Sequence, residues 1–188
     1  MHFLTQICVA EQLNINVEDV SLANITISVY HSAIASYFAP SDPCGSDGMR
    51  RERIRSSPSW RGQNPRRDCV FVVEDDQPGM KGLGVVRVFL FFSFEYGDTR
   101  YPCALVEWFK KAGLDPVTGM WVVRPDIVRG KRERSVLHLD SFLRAAHLIP
   151  VFGTCKVPKD FHFTYSLDAF KAYYINKYID HHSFEIAF

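Results

Sequence analysis

Residues 85–96 read VVRVFLFFSFEY, and they run through Gly97-Asp98 directly into TRYPCALVEWF at 99–109. In an extended chain side chains alternate between two faces, so the apolar even positions Val86, Val88, Leu90, Phe92, Phe94 and Tyr96 are expected to line one buried face of a strand. The other face is mixed: Arg87, Ser93 and Glu95 stand among Val85, Phe89 and Phe91. Gly97-Asp98 sits where a two-residue hairpin turn belongs. The return segment is apolar on both sides, with Ala104, Val106 and Trp108 against Cys103, Leu105 and Phe109, which marks a central strand. KKAGLDPVTG supplies turn residues at Gly113, Asp115-Pro116 and Gly119, and MWVVRP adds a third strand ending the stretch from Val85 to Val123. Short connections of this kind favour an antiparallel meander over a parallel α/β sheet.

Working outward, CVFVVE at 69–74 reads as a further strand. SVLHL at 135–139 reads as another after the basic loop VRGKRER. FLRAAH reads as a one- to two-turn helix capped by Asp140 or Ser141, and LIPVFG extends again. Ser166 can cap a helix whose Leu167, Phe170, Tyr174 and Tyr178 recur at spacings of three and four, giving one apolar stripe. The expected fold is mainly β (β-rich α+β): a small antiparallel curled sheet or SH3/BAH-like barrel with a C-terminal helix. Three regions follow, forming one globular unit. Residues 1–67 are an N-terminal extension with a strand or strand pair at 24–38 and an arginine-rich arm at 50–67, residues 68–158 the β-domain, and residues 159–188 the packed helix.

The chain of 188 residues is 47% hydrophobic and 14% aromatic, with 15 Phe and 8 Tyr, a folded and sheet-prone composition. Its net charge of +1 gives no global field, so an anionic partner must be attracted by a local patch. The first twenty residues, with no basic n-region and with early acidic and amide residues, read as neither signal peptide nor membrane span, so an intracellular location without membrane attachment is expected. Cysteines at 8, 44, 69, 103 and 155 are odd in number and show no CxxC pair, which favours reduced structural thiols.

The arm is the strongest local signal. APSDPCGSDGMRRERIRSSPSWRGQNPRR, residues 39–67, holds four Pro, three Gly and seven Arg, and reads as an irregular, mobile connection. Within the 18 residues 50–67, Arg50, Arg51, Arg53, Arg55, Arg61, Arg66 and Arg67 stand against the single acid Glu52, with Trp60 in the middle. Guanidinium forks neutralise phosphates and an aromatic ring can stack on a base, so these eight residues are the candidate nucleic-acid contacts. The bland alternative is a solvated loop whose arginines pair with Glu74, Asp75 and Asp76.

Other chemistry is sparse. On a helix His181 and Glu185 share a face beside His182, a weak metal-ligand pattern that lacks a further ligand at suitable spacing. His31, His138 and His147 lie in apolar stretches and read as structural; a Cys103–His138 pair has no local signature. There is no P-loop, GxGxxG, GxSxG or HExxH, and the acids cluster in turns rather than on one site. No enzyme and no cofactor are expected, the alternative being a small metal-dependent hydrolase or nuclease that uses His181, His182 and Glu185. Trp108 and Trp121 read as core, with an exposed aromatic groove for a peptide, as in a chromatin-reader module, as the alternative.

Several phrases carry a resemblance: APSDPCGSDGMRRERIRSSPSW, YPCALVEWF, GMWVV, HLDSFLRAAHLIPVFG and FHFTYSLDAFKAYYINKYIDHHSFEIAF. From about Ile27 to Phe188 the chain resembles the carboxyl-terminal region of proteins encoded by fungal DNA transposons of the Plavaka type, related to CACTA elements. The resemblance implies an accessory domain lying downstream of a ribonuclease-H-like catalytic domain whose acidic ligands do not map onto these residues. It further implies a role in positioning a transposase on DNA or on a partner subunit, and a nuclear setting.

Overall fold

The computed structural model describes residues 26–42, 47–154, 156–157 and 159–188, with positions 6, 16 and 18. Its architecture is mainly β, a nearly closed antiparallel barrel-like sheet with a short carboxyl-terminal helix. The meander from Val85 to Val123 is its centre: β6 (Leu83–Tyr96), β7 (Thr99–Leu114) and β8 (Trp121–Pro125). Gly97 and Asp98 both have positive φ, 55° and 61°, the geometry of a two-residue turn whose twist matches that of its strands.

Before the meander lie β1 (Ser28–Tyr30), β2 (Ser32–Phe38), β3 (Met49–Ser57), β4 (Arg66–Arg67) and β5 (Cys69–Val73). After it come a small hairpin of β9 (Ile127–Val128) and β10 (Lys131–Arg132), then β11 (Arg134–His138), β12 (Phe142–Ala146), β13 (Leu148–Pro150) and β14 (Tyr173–Ile175). The main sheet runs β12-β5-β6-β7-β8-β14-β13, with β1 added to β6 and β11 to β7. Its two ends, β12 and β13, are separated only by His147. At that corner the chain stops pairing with β5 and begins pairing with β14, and Asn176 N–H donates to the His147 carbonyl at 2.9 Å.

The barrel interior is built from Phe71, Leu83, Val85, Phe109, Val123, Tyr173 and Ile175, with Met80 and Ala187 sealing one side. A second apolar layer lies outside the sheet, where Val70, Val72, Val86, Val88, Phe91, Ala104 and Val106 are covered by Ile54 of β3 and by Ala33 and Ala35 of β2. The third group, Phe92, Phe94, Tyr101, Cys103 and Val136, packs along the far end of the β6–β7 hairpin.

Four sequence expectations are corrected. The six even positions of β6 do not share a face. The register of β6 on β7 shifts between Val88 and Leu90, so Phe89 bulges out and the alternation changes phase. Val86 and Val88 then join Phe91 in the outer layer, and Leu90, Phe92, Phe94 and Tyr96 belong to the hairpin cluster. The arm is not an irregular connection: residues 49–57 are strand β3, paired along β2 from Ser32–Arg55 to Phe38–Met49, and this hairpin packs on the barrel. FLRAAH is strand β12 preceded by a single 3-10 turn at Leu139–Ser141. The helix expected from Ser166 is one turn, α1 (Ser166–Ala169), followed by β14 inside the sheet; the carboxyl-terminal helix is α2 (His181–Ile186), capped by Asp180.

Cys69 and Cys103 are buried, and burial pushes the Cys69 thiol up to about 12, as suits an inert packing residue. Cys8, Cys44 and Cys155 lie outside the described residues. Among the described residues no helix is long and apolar enough to cross a membrane.

Candidate nucleic-acid interface

Alternation along β3 sorts its charges. Glu52, Ile54 and Ser56 turn toward the barrel: Ile54 is buried in the outer layer, the Ser56 hydroxyl donates to the Val88 carbonyl at 3.1 Å, and Glu52 accepts from the Ala145 amide at 3.1 Å. Arg51, Arg53 and Arg55 take the opposite face, spaced about 6.7 Å apart by the rise of a strand. Arg50, by its phase, shares the face of Glu52 and is paired with Asp42 at 3.1 Å.

Beyond Ser57 the loop 58–65 returns to β4. The Trp60 ring has three guanidinium groups near it, those of Arg55, Arg66 and Arg61, at 4.9, 5.1 and 5.7 Å from the ring centroid. Such cation–π contacts hold long side chains in place while leaving their N–H forks free for oxygen acceptors. Arg66 also forks onto Asp68, which accepts the Arg55 backbone amide. Among the described residues Arg51, Arg53, Arg55, Arg61 and Arg67 form no ion pair.

These arginines edge two hollows that meet at Arg66, Arg67, Ser166 and Leu167. One, of about 460 Å³, lies between Trp60 and α1; the other, of about 610 Å³, lies between β3 and the β12–β13 corner. The three carboxylates of the larger hollow are already engaged: Glu52 by the Ala145 amide, Asp68 by Arg66, and Asp180 by Arg144. The result is a trough whose unneutralised charge is positive.

A cationic cluster surrounds the bulge. Arg67, Arg134 and Arg87 lie 4.0, 4.9 and 5.4 Å from the Phe89 ring centroid. Glu107, 2% exposed, stands in register with both Arg87 and Arg134 and accepts two hydrogen bonds from Arg134; Asp168 accepts from Arg87 at 2.8 Å. Burial, and then the neighbouring Arg87 charge, hold Arg67 below the usual arginine range. An added anion would relieve that crowding.

The far wall of the larger hollow is a lock. Arg144, 3% exposed, donates to both Asp180 oxygens at 2.8 and 2.6 Å, sits 5.0 Å from the Tyr37 ring, and contacts His182 Nδ1 at 3.2 Å. Tyr37 and His182 stack at 4.9 Å. Burial and the Arg144 charge lower the His182 pKa, so this histidine is neutral. It serves packing, while His181 and Glu185 are exposed on α2; among the described residues no group of three or more His, Cys, Asp or Glu is placed to hold a metal ion.

Of the eight arm residues expected to contact nucleic acid, the trough therefore gathers seven. Arg50 sits on the inward face in its pair with Asp42, and Arg66 is partly committed to Asp68. Sequence reasoning missed Arg87 and Arg144 as parts of the walls; the available signal was an arginine set inside an apolar run. Cys103 and His138 are register partners between β7 and β11, but Cys103 is fully buried and His138 Nδ1 accepts from the Asp140 amide. Trp108 packs against the outer layer with its N–H on Ser135 Oγ, and Trp121 packs against the interior, so neither forms an open aromatic groove. Compared with known proteins, the chain matches no family model, no curated protein and no solved structure.

Proposed function

We propose that this chain is a non-catalytic accessory domain that grips nucleic acid along the arginine trough, and that in a transposon-encoded setting it positions a transposase on DNA. The observation that carries the reading is the face of β3: Arg51, Arg53 and Arg55 project from a rigid strand, with Arg61 and Arg67 continuing the row, and none of the five is neutralised among the described residues. A strand holds its cations at fixed spacing, so less side-chain and backbone freedom is lost on binding than from a loose arm. The resemblance to transposon-encoded regions supplies the setting.

Fluorescence anisotropy with labelled DNA, titrated across salt concentration, tests this. Binding is expected to weaken steeply with salt. Replacing Arg51, Arg53 and Arg55 together by Ala is expected to reduce the slope of log K against log salt by about two to three, since each phosphate contact contributes roughly 0.7 to 0.9. No binding at low salt, or a slope unchanged in the triple variant with its circular dichroism intact, would refute the assignment.

A further inference from the structure

The smaller hollow has a chemistry distinct from the rest of the trough. Arg61, Arg66, Arg67 and Arg87 line it, no carboxylate does, and its rim carries the Asn64 amide and the Phe163 ring, which is 73% exposed. Arg87 follows Val85 on the barrel-lining face of β6, so the hollow lies over one end of the barrel, a common place for small ligands. Arg87 is 6% exposed, and although one terminal nitrogen is given to Asp168, its buried Nε has no hydrogen-bond partner among the described residues. A buried donor left unpaired is costly, and here it belongs to a cation in a hollow walled by other cations.

Resting on the nucleic-acid reading above, we propose that this hollow receives one unpaired nucleotide of the bound strand. Its phosphate is held by Arg67 and Arg87, its base stacks on Phe163, and the Asn64 amide meets the base edge. A volume of about 460 Å³ suits one small ligand and no duplex segment. The trough beyond, with Arg51, Arg53 and Arg55, carries the adjoining backbone. The arrangement makes the preferred partner a strand end or a junction with an unpaired base, and stacking on an aromatic ring is sequence-tolerant.

The experiment compares a labelled blunt duplex, the same duplex with a one-nucleotide overhang, and free adenosine monophosphate as competitor, all with the full chain. The overhang is expected to bind at least fivefold tighter than the blunt duplex, with free mononucleotide competing only at far higher concentration. Phe163→Ala and Asn64→Ala, both on the exposed rim, are expected to erase that preference and leave blunt-duplex affinity unchanged. Equal affinity for the two duplexes, a preference that survives in both variants, or mononucleotide binding tighter than the overhang would each overturn the pocket proposal while the trough reading stands. Absence of binding to every DNA at low salt would overturn both.

Discussion

At the scale of single residues, the most consequential contact is Arg144 with Asp180. Burial works against ionising Asp180, but hydrogen bonds from Arg144 and from the Ser183 amide outweigh it and bring the carboxyl down to about 2. A carboxyl depressed in the folded state stabilises the fold above its unfolded pKa, near 4, and loses that contribution as pH falls toward 2. His182 acts in the same sense: held neutral when folded, it takes up its proton more readily in the unfolded chain, so stability begins to decline as pH drops below about 6.5. Urea denaturation at a series of pH values should therefore show a first loss that sets in as pH falls below about 6.5 and a second below about pH 4, with His182→Gln removing only the first. Asp180→Asn takes the carboxylate from the buried Arg144 guanidinium while leaving an amide oxygen able to cap α2, and is expected to cost about 3 kcal/mol at neutral pH.

At the scale of elements, β3 and its loop behave differently although both are arginine-rich. Limited trypsin digestion should cut at Arg61, exposed in the 58–65 loop with φ of 55°, before Arg51, Arg53 or Arg55, whose backbone is held in the β2–β3 ladder; early cleavage within 51–55 would contradict the hairpin. In β6, a Cβ on Gly84 would lie 2.9 Å from the Trp108 ring and from the Glu74 carboxyl. Glu74 can swing away, but Trp108 is anchored to Ser135, so Gly84→Ala should lower stability by roughly 1–3 kcal/mol in a thermal melt. The hairpin turn at Gly97-Asp98 was legible because turn chemistry and alternation agreed there. The bulge was not, since Phe89-Leu90-Phe91-Phe92 is apolar at every position and carries no phase. Likewise Tyr174 satisfies a helical stripe with Phe170 and Tyr178 as readily as it satisfies a three-residue strand, and tertiary pairing with β8 and β13 decided between them. The arginines of the trough were legible by composition. Their common face was hidden because Pro, Gly and Ser on either side made the segment look like a loop, and only pairing with β2 fixed the alternation. Arg87 and Arg144 were hidden for the opposite reason, being cations inside strands where apolar residues set the pattern.

At the scale of the whole molecule, the barrel depends on a very short closing piece. β14 is three residues long, yet it fills the space between β8 and β13, and Tyr173 and Ile175 are fully buried in the interior. Ile175→Ala should cost about 2–5 kcal/mol and, unlike a cavity elsewhere, should raise aggregation on heating, because loosening β14 frees two strand edges at once; light scattering during the melt distinguishes the two effects. The same geometry sets an order of events during translation. β8 ends at Pro125 and β13 at Pro150, but the strand that joins them is made only at residues 173–175. A nascent chain halted before that point can complete the β6–β7 hairpin while still presenting both open edges to its neighbours. The growing polypeptide is thus most vulnerable in the interval after β13 is made, and its safety rests on three residues that have yet to leave the ribosome.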